Sequence, residues 1–393
     1  MIPVTYCLTH PIQYQSPLIR HLVNSGVSIH VAYASAPDAS GYYDKEFGQS
    51  VSWDIPLLEG YPHSILNPAA PTGSHSHQAR LFETRLKAEF SARPPSALWV
   101  HGWNHPYTRA AWKIARDQNI PLLLRGETSL ASVKGSFLRR LTHRCVFTLR
   151  LRQPAAFLAV GSLNKQLYRS YGVPDHKIFD VPYAVDNAFF QARAAEATPN
   201  RDKLRASLGL TPDQPVVLFC GKLIPKKDPE LLLRAFATLP SLTPSPPPAL
   251  IFVGDGELRP HLEQLANQLA PGQVHFTGFK NQTELPAFYD LCDLFVISSL
   301  FEPWGLVVNE VMNAAKPVIA SSAVCSTPDL IDPHSNGAIF PIGDLTALTT
   351  SLHRFLSNPN LLKQAGQASL NRINSWSFQQ ALHGFQSAIA SIA

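Results

Sequence analysis

Two successive series of short apolar runs alternating with helical patterns constrain this chain more than any other feature of its sequence. Runs at 4–8, 27–33, 97–100, 121–124, 156–160 and 178–181 have strand length, and several are rich in β-branched residues. Helical patterning fills 17–24, 107–118 and 163–171 between them. Residues 191–215 break the rhythm, being polar, alanine-rich and without strand pattern. A second series then runs through 216–220, 249–253, 274–277, 294–298 and 317–320. Strands alternating with helices predict parallel sheets with helices on both faces. The break predicts two domains, 1–195 and 196–375, and a final helix within 376–393 that can return to the first. Each domain reads as Rossmann-like. Open α/β sheets bind ligands outside the carboxyl ends of their strands, so both sets of strand ends are expected to line a shared cleft. The insert at 240–248, PSLTPSPPP, reads as a stiff surface loop rather than a domain linker.

Composition excludes several classes. A chain of 393 residues that is 45% hydrophobic has apolar material for large cores, so disorder throughout is excluded. The cysteines (Cys7, Cys145, Cys220, Cys292, Cys325) form no CxxC, which points away from a disulfide framework and a structural zinc site. The start, MIPVTYCLTHPIQ, lacks a basic region and a long apolar run, so it does not read as a signal peptide. No apolar run approaches the ~18 residues a membrane span needs. The expectation is a cytoplasmic protein, with peripheral attachment at the inner face of the membrane as its extension. Neither first strand is followed by GxGxxG, which argues against a dinucleotide-dependent dehydrogenase.

The net charge of +5 is uneven. Residues 1–190 hold 19 Lys and Arg against 12 Asp and Glu, while the remainder holds 14 against 16. Residues 128–174 carry eight basic side chains and no acidic one. Within them, 134–152 mixes cations with Phe137, Leu138, Leu141, Val146, Phe147 and Leu149. Such a helix suits an anionic membrane beside a lipid-linked acceptor. The plainer reading is an ordinary helix with a solvated basic face. No motif accompanies the charge that would suggest nucleic acid as a partner.

Two strings in the second series carry chemistry. In Phe219-Cys-Gly221-Lys222-Leu-Ile-Pro-Lys226-Lys227-Asp228-Pro229, a buried strand ends at Gly221 and a helix begins at Asp228-Pro229. Lys222 and Lys227 bracket that loop, a setting that suits a phosphate or diphosphate as well as a merely solvated loop. In the stretch 294–322, Glu302 precedes a helix expected to start near Gly305, and Glu310 lies about one and a half turns into it. Carboxylates there can accept hydrogen bonds from sugar or ribose hydroxyls, or can simply be exposed helix charges.

Taken together these residues resemble a retaining GT-B glycosyltransferase of glycosyltransferase family 4. Glu302-Pro-Trp-Gly-Leu-Val-Val-Asn-Glu310 matches the family's EX7E motif. Gly221-Lys222-Leu and Lys227 match its G-[RK]-L-x-x-x-K loop, and Gly254-Asp-Gly256-Glu-Leu, Thr277-Gly278-Phe279 and Tyr183-Ala-Val185-Asp186 follow the expected order. The resemblance implies an α/β GT-B fold, two Rossmann-like domains facing across a deep cleft. It implies hexose transfer from a nucleotide-diphosphate sugar to an acceptor hydroxyl of a glycan, lipid-linked sugar or small molecule, with no metal and no other cofactor.

It also implies roles. Lys222 and Lys227 would hold the donor diphosphate, Glu310 the ribose, and Glu302 the transferred sugar. Gly221 and Gly254 would belong to the donor site, Gly278, Phe279 and Lys280 would lie near the base, and amides around Trp304, Gly305 and Leu306 would complete the phosphate site. In the first domain the loop after the first strand carries His10 and Gln13 where the family commonly has glycines. His101 ends a later strand, and Glu127 stands where relatives often carry a histidine near the reacting centre. These four are the acceptor-side candidates, with Glu127 assisting deprotonation or merely belonging to a capping cluster. A GT-B epimerase, a sugar phosphorylase and a non-catalytic sugar- or membrane-binding protein remain the alternatives.

Overall fold

The computed structural model describes residues 2–36, 42–44, 46, 48–67, 74–130, 137–239 and 246–392. Its strands, in chain order, are β1 (Val4–Leu8), β2 (Ile29–Tyr33), β3 (Tyr42–Asp44), β4 (Gln49–Val51), β5 (His63–Ile65), β6 (Ala97–His101), β7 (Leu122–Arg125), β8 (Ala156–Ala159) and β9 (Ile178–Asp180). The series continues with β10 (Val216–Cys220), β11 (Ala249–Val253), β12 (Val274–Phe276), β13 (Leu294–Ile297), β14 (Val318–Ser321) and β15 (Gly337–Phe340).

Two compact units account for these elements. The first comprises Met1–Gly41, Pro56–Ala184 and Ser377–Ala393, the second Tyr42–Ile55 and Val185–Trp376. The chain thus passes between units at 184/185, eleven residues before the boundary expected at 195/196. Residues 187–207 are why. They form helices Asn187–Ala197 and Arg201–Ser207, and their polar side chains bond the second unit. Arg201 Nε donates to Asp290 at 2.8 Å, and Asn187 Nδ2 donates to the Ile373 carbonyl at 2.9 Å. The grouping of Tyr42–Ile55 with the second unit lies outside the sequence reading altogether.

The first unit holds a parallel seven-stranded sheet in the order β5-β2-β1-β6-β7-β8-β9. All five β1 side chains are buried, as are those of β7 and β8, which fits strands covered on both faces. Phe82, Leu98, Trp112, Leu124 and Phe157 lead its core. Burying each large apolar side chain contributes roughly 1.5–3 kcal/mol. The helix Phe378–Ala390 belongs to this unit. Its Gly384 lies so close to β9 that a Cβ there would sit 1.9 Å from the Asp180 carbonyl oxygen, and the Phe385 ring lies 4.7 Å from that of Trp99.

The second unit holds a parallel six-stranded sheet in the order β12-β11-β10-β13-β14-β15, with Phe219, Phe236, Phe252, Val296 and Ile319 in its core. The antiparallel pair β3–β4 also belongs to this unit. In each large sheet the first strand is central and the order reverses beside it, between β1 and β6 and between β10 and β13. Loops at the carboxyl ends of those strand pairs border the crevice where such sheets take ligands. Among the described residues no helix is long and apolar enough to cross a membrane.

Of the basic stretch 134–152, Lys134 lies outside the described residues, as do the side chains of Arg139 and Arg140. Of the insert at 240–248, residues 240–245 lie outside them. In helix Phe137–Arg150, Phe147 packs on Trp103 and Arg150 donates to the Trp103 carbonyl at 2.8 Å. Val146 and Leu149 of the same helix are 60% and 63% exposed, so its outer face is apolar as well as basic.

Candidate functional site

In the second unit, every charged residue singled out from the sequence lies in or just past a loop that leaves the carboxyl edge of the sheet. β10 delivers Gly221 and Lys222, and β13 delivers Glu302 and then the short helix Leu306–Met312, which carries Glu310. The loops after β10, β11 and β12 meet backbone to backbone. A Cβ on Gly254 would sit 2.0 Å from the Gly221 carbonyl oxygen, and the Gly254 N–H donates to the Gly278 carbonyl at 2.8 Å. Only glycine permits that approach, and Gly254 also holds φ at 133°. Gly305, before the helix, adopts φ 87°, and a Cβ there would press on Glu302 Cγ at 3.2 Å.

Lys227 closes the turn Pro225–Lys227 and forms an ion pair with Glu302. Ser298 Oγ fixes that turn by donating to the carbonyls of Lys227 at 3.0 Å and Asp228 at 2.7 Å. Lys222 Nζ lies 3.0 Å from Asp44 Oδ2 and 2.6 Å from Glu46 Oε2. Burial alone would lower the Lys222 pKa, but these carboxylates raise it above the ordinary value. Glu310 accepts a hydrogen bond from the Tyr289 hydroxyl at 2.6 Å. Burial pushes its carboxyl up, opposed by Tyr289 and Gln282. Trp304 Nε1 donates to Asn309 Oδ1 at 2.9 Å, which orients the indole just before Leu306 opens the helix. Phe279 meets the edge of Trp53 at 6.3 Å between ring centroids, and Lys280 pairs with Glu284 at 3.2 Å.

Sequence reasoning missed Asp44, Glu46, Trp53 and Tyr289. The first three come from a segment more than 160 residues before β10, and nothing in its composition ties it to that strand. Tyr289 sits in Leu285–Leu291, where an aromatic residue reads as core.

In the first unit a polar cluster stands at the ends of β1, β6 and β7. His101 Nδ1 contacts the Tyr6 hydroxyl at 3.2 Å, and its Nε2 lies 3.1 Å from the Tyr183 hydroxyl. The carboxylate of Glu127 accepts from Tyr183 and, at 3.3 Å, from Tyr14, with His101 Nε2 3.8 Å away. Burial would raise the Glu127 carboxyl, but His101, Tyr183 and Tyr14 outweigh it and bring it down to about 2. Glu127 thus stands as a hydrogen-bond acceptor for two tyrosine hydroxyls beside His101.

Beneath the cluster Arg125 is wholly buried. It donates to Gln15 Oε1 at 3.4 Å and to the carbonyls of Val181 and Pro182 at 3.1 Å, and lies 4.7 Å from the centre of the Tyr183 ring. The structure therefore brings His101 and Glu127 together. His10 instead bonds its neighbour Thr9 at 3.0 Å, with its pKa lowered by burial, and Gln13 is partly buried on the same loop.

Residues 200–372 match the family model described as glycosyl transferases group 1. An uncharacterized glycosyltransferase of Methanocaldococcus jannaschii is 30% identical over 177 residues, 45% of this chain and 44% of that protein. The chain spans about half the length of the curated relatives it matches. Among solved structures, sucrose-phosphate synthase of Thermosynechococcus elongatus superposes with a TM-score of 0.73 at 20% identity, covering 99% of this chain and 98% of that one. The Anabaena protein HepE, in complex with UDP and glucose, superposes with a TM-score of 0.72 at 17% identity and full coverage of both chains. The fold is therefore the α/β fold with two parallel sheets found in GT-B glycosyltransferase structures.

Proposed function

We propose, starting from the group 1 glycosyltransferase segment at residues 200–372, that the protein transfers a hexose-type sugar from a nucleotide-diphosphate donor to an acceptor hydroxyl. One observation carries this reading. Lys222, Lys227, Glu302 and Glu310 all follow the two strands, β10 and β13, beside which the order of the second unit's sheet reverses. Two ammonium groups there match a diphosphate, and two carboxylates match the hydroxyls of a sugar and a ribose. The UDP and glucose of the HepE complex make a donor of this class the natural first trial.

In the proposed reaction the bond between the anomeric carbon and the diphosphate oxygen breaks as the acceptor oxygen bonds that carbon. Lys222 and Lys227 stabilise the negative charge that develops on the departing diphosphate, and the acceptor's proton leaves with it or with solvent. Retention of configuration and independence of a metal belong to the same proposal, as in glycosyltransferase family 4. The cluster around Glu127 and His101 is proposed to bind acceptor hydroxyls. The exposed Val146 and Leu149, with Arg144 and Arg152 near them, are proposed to rest on an anionic membrane that presents a lipid-linked acceptor.

A thermal-shift screen against UDP-, GDP- and ADP-sugars tests the reading, because a ligand of the native state raises the melting temperature by mass action. The true donor should stabilise most, and turnover with it should survive a chelator and give a product of retained anomeric configuration. Stabilisation by none of the three would refute the donor site. Epimerised donor, phosphate-dependent turnover or binding without turnover would replace the transferase reading with an epimerase, a phosphorylase or a non-catalytic protein.

A further inference from the structure

Lys222 lies at the carboxyl edge of β10, yet its ammonium group is already neutralised. Asp44 contributes both carboxylate oxygens, at 3.1 and 3.0 Å, and Glu46 contributes Oε2 at 2.6 Å. These acids arrive on Tyr42–Ile55, a segment drawn from the early part of the chain into the second unit. The far end of that segment is anchored independently. Asn281 Nδ2 donates to the Ser52 carbonyl at 2.6 Å, the Thr283 N–H donates to Asp54 Oδ2 at 3.1 Å, and Trp53 meets Phe279. The segment therefore spans from the lysine expected at the diphosphate to the residues expected near the base.

Lys222 is only 23% exposed and Asp44 only 13%. Glu46 is 60% exposed and water screens it in part, but a diphosphate arriving at Lys222 must still displace the enclosed Asp44, because like charges a few ångströms apart repel where screening is poor. We propose that Asp44 and Glu46 are counter-ions standing in for the donor diphosphate, and that donor binding exchanges them for phosphate oxygens on Lys222. The inference rests on the donor site proposed above. The exchange leaves Lys222 paired before and after, so the lysine never sits buried and uncompensated. It also makes donor affinity a difference between two sets of ion pairs. The anchor at 281–283 keeps the segment on the second unit while its acidic end moves aside.

Calorimetry tests this with inorganic pyrophosphate, which is independent of the base, and with whichever of UDP, GDP and ADP stabilises the wild type most. Removing both charges (Asp44→Asn with Glu46→Gln) should tighten binding of each probe, on the order of tenfold. Either single change should act in the same direction, which keeps the test available if the double variant folds poorly. In a Lys222→Ala background the same changes should have no effect. Equal or weaker binding in the neutralised variants, with wild type binding normally, would overturn the exchange and leave the donor site standing. Absence of binding in wild type and variants alike would overturn both. Tightening that persists without Lys222 would show a general electrostatic effect and overturn the exchange.

Discussion

The Tyr289 hydroxyl donates a 2.6 Å hydrogen bond to Glu310, a carboxylate that burial pushes toward its protonated form. The tyrosine thus works against burial and favours the ionised form of Glu310, which is proposed to accept from donor hydroxyls. Tyr289→Phe should raise the Glu310 pKa further. Donor KM should rise roughly tenfold, as expected for loss of a hydrogen bond to a charged group, with kcat less affected. The acidic limb of kcat/KM should move to higher pH. An unshifted limb would separate Tyr289 from the state of Glu310.

Glu310 itself should oppose folding. Its folded pKa lies above the ordinary value, so losing the proton costs more in the native state than in the unfolded chain. That penalty is absent below the ordinary carboxylate range, where both states are protonated, and grows as pH rises through the folded pKa. Glu310→Gln should therefore raise the melting temperature at pH 7, by about 1 °C or more, while weakening donor binding. The gain should shrink on acidification. A melting temperature that falls at pH 7 would contradict this.

Lys227 and Glu302 form one electrostatic unit with side chains only 22% and 12% exposed. Lys227→Met should reduce transfer by on the order of 10²–10³-fold. It should also destabilise by about 2–3 kcal/mol, less than a fully buried pair, because it strands Glu302. Adding Glu302→Gln should restore much of the stability and none of the activity. Denaturant titrations and initial rates on the single and double variants measure both halves. Full activity in Lys227→Met would remove the lysine from the site.

Glu127 makes the opposite pH prediction to Glu310. Its folded pKa of about 2 lies below the ordinary value, so its contribution is present above the carboxylate range and lost as pH falls toward 2. Since the side chain is 35% exposed, solvent discounts the size of the effect. Glu127→Gln should flatten the acid side of the stability profile in thermal melts from pH 7 to pH 3. It should also raise the acceptor KM without changing donor affinity. Weakened donor affinity would place Glu127 outside an acceptor role.

Much of this architecture is legible in the sequence because parallel strands buried on both faces are written as continuous apolar runs. Val216–Cys220 and Ala249–Val253 are read to the residue. His63–Ile65 is missed because a three-residue strand pairing only with β2 needs no apolar run. Gly337–Phe340 is missed because it opens with glycine and alanine. At the candidate site, Lys222 and Lys227 are legible from the strand end and helix start that bracket them, and Glu302 and Glu310 from the EX7E string they open and close. Their partners divide by distance along the chain. Glu302 was already in view for Lys227, whereas Asp44 and Glu46 reach Lys222 from over 170 residues away. Of the tyrosines on Glu127, Tyr183 is visible only as part of a motif string and Tyr14 is not singled out at all, because burial explains an aromatic residue without any polar duty.

The membership of the units has a consequence for synthesis. The second unit recruits Tyr42–Ile55, made long before its own sheet, and the first recruits Ser377–Ala393, made after the other unit's sheet is complete. A nascent chain that has reached residue 184 lacks the helix whose Gly384 abuts Asp180 and whose Phe385 meets Trp99. The first unit must therefore wait on the ribosome with part of one face uncovered, while the second unit is made. Severing the chain at 184/185 would release neither unit whole, because each fragment would keep a piece of the other.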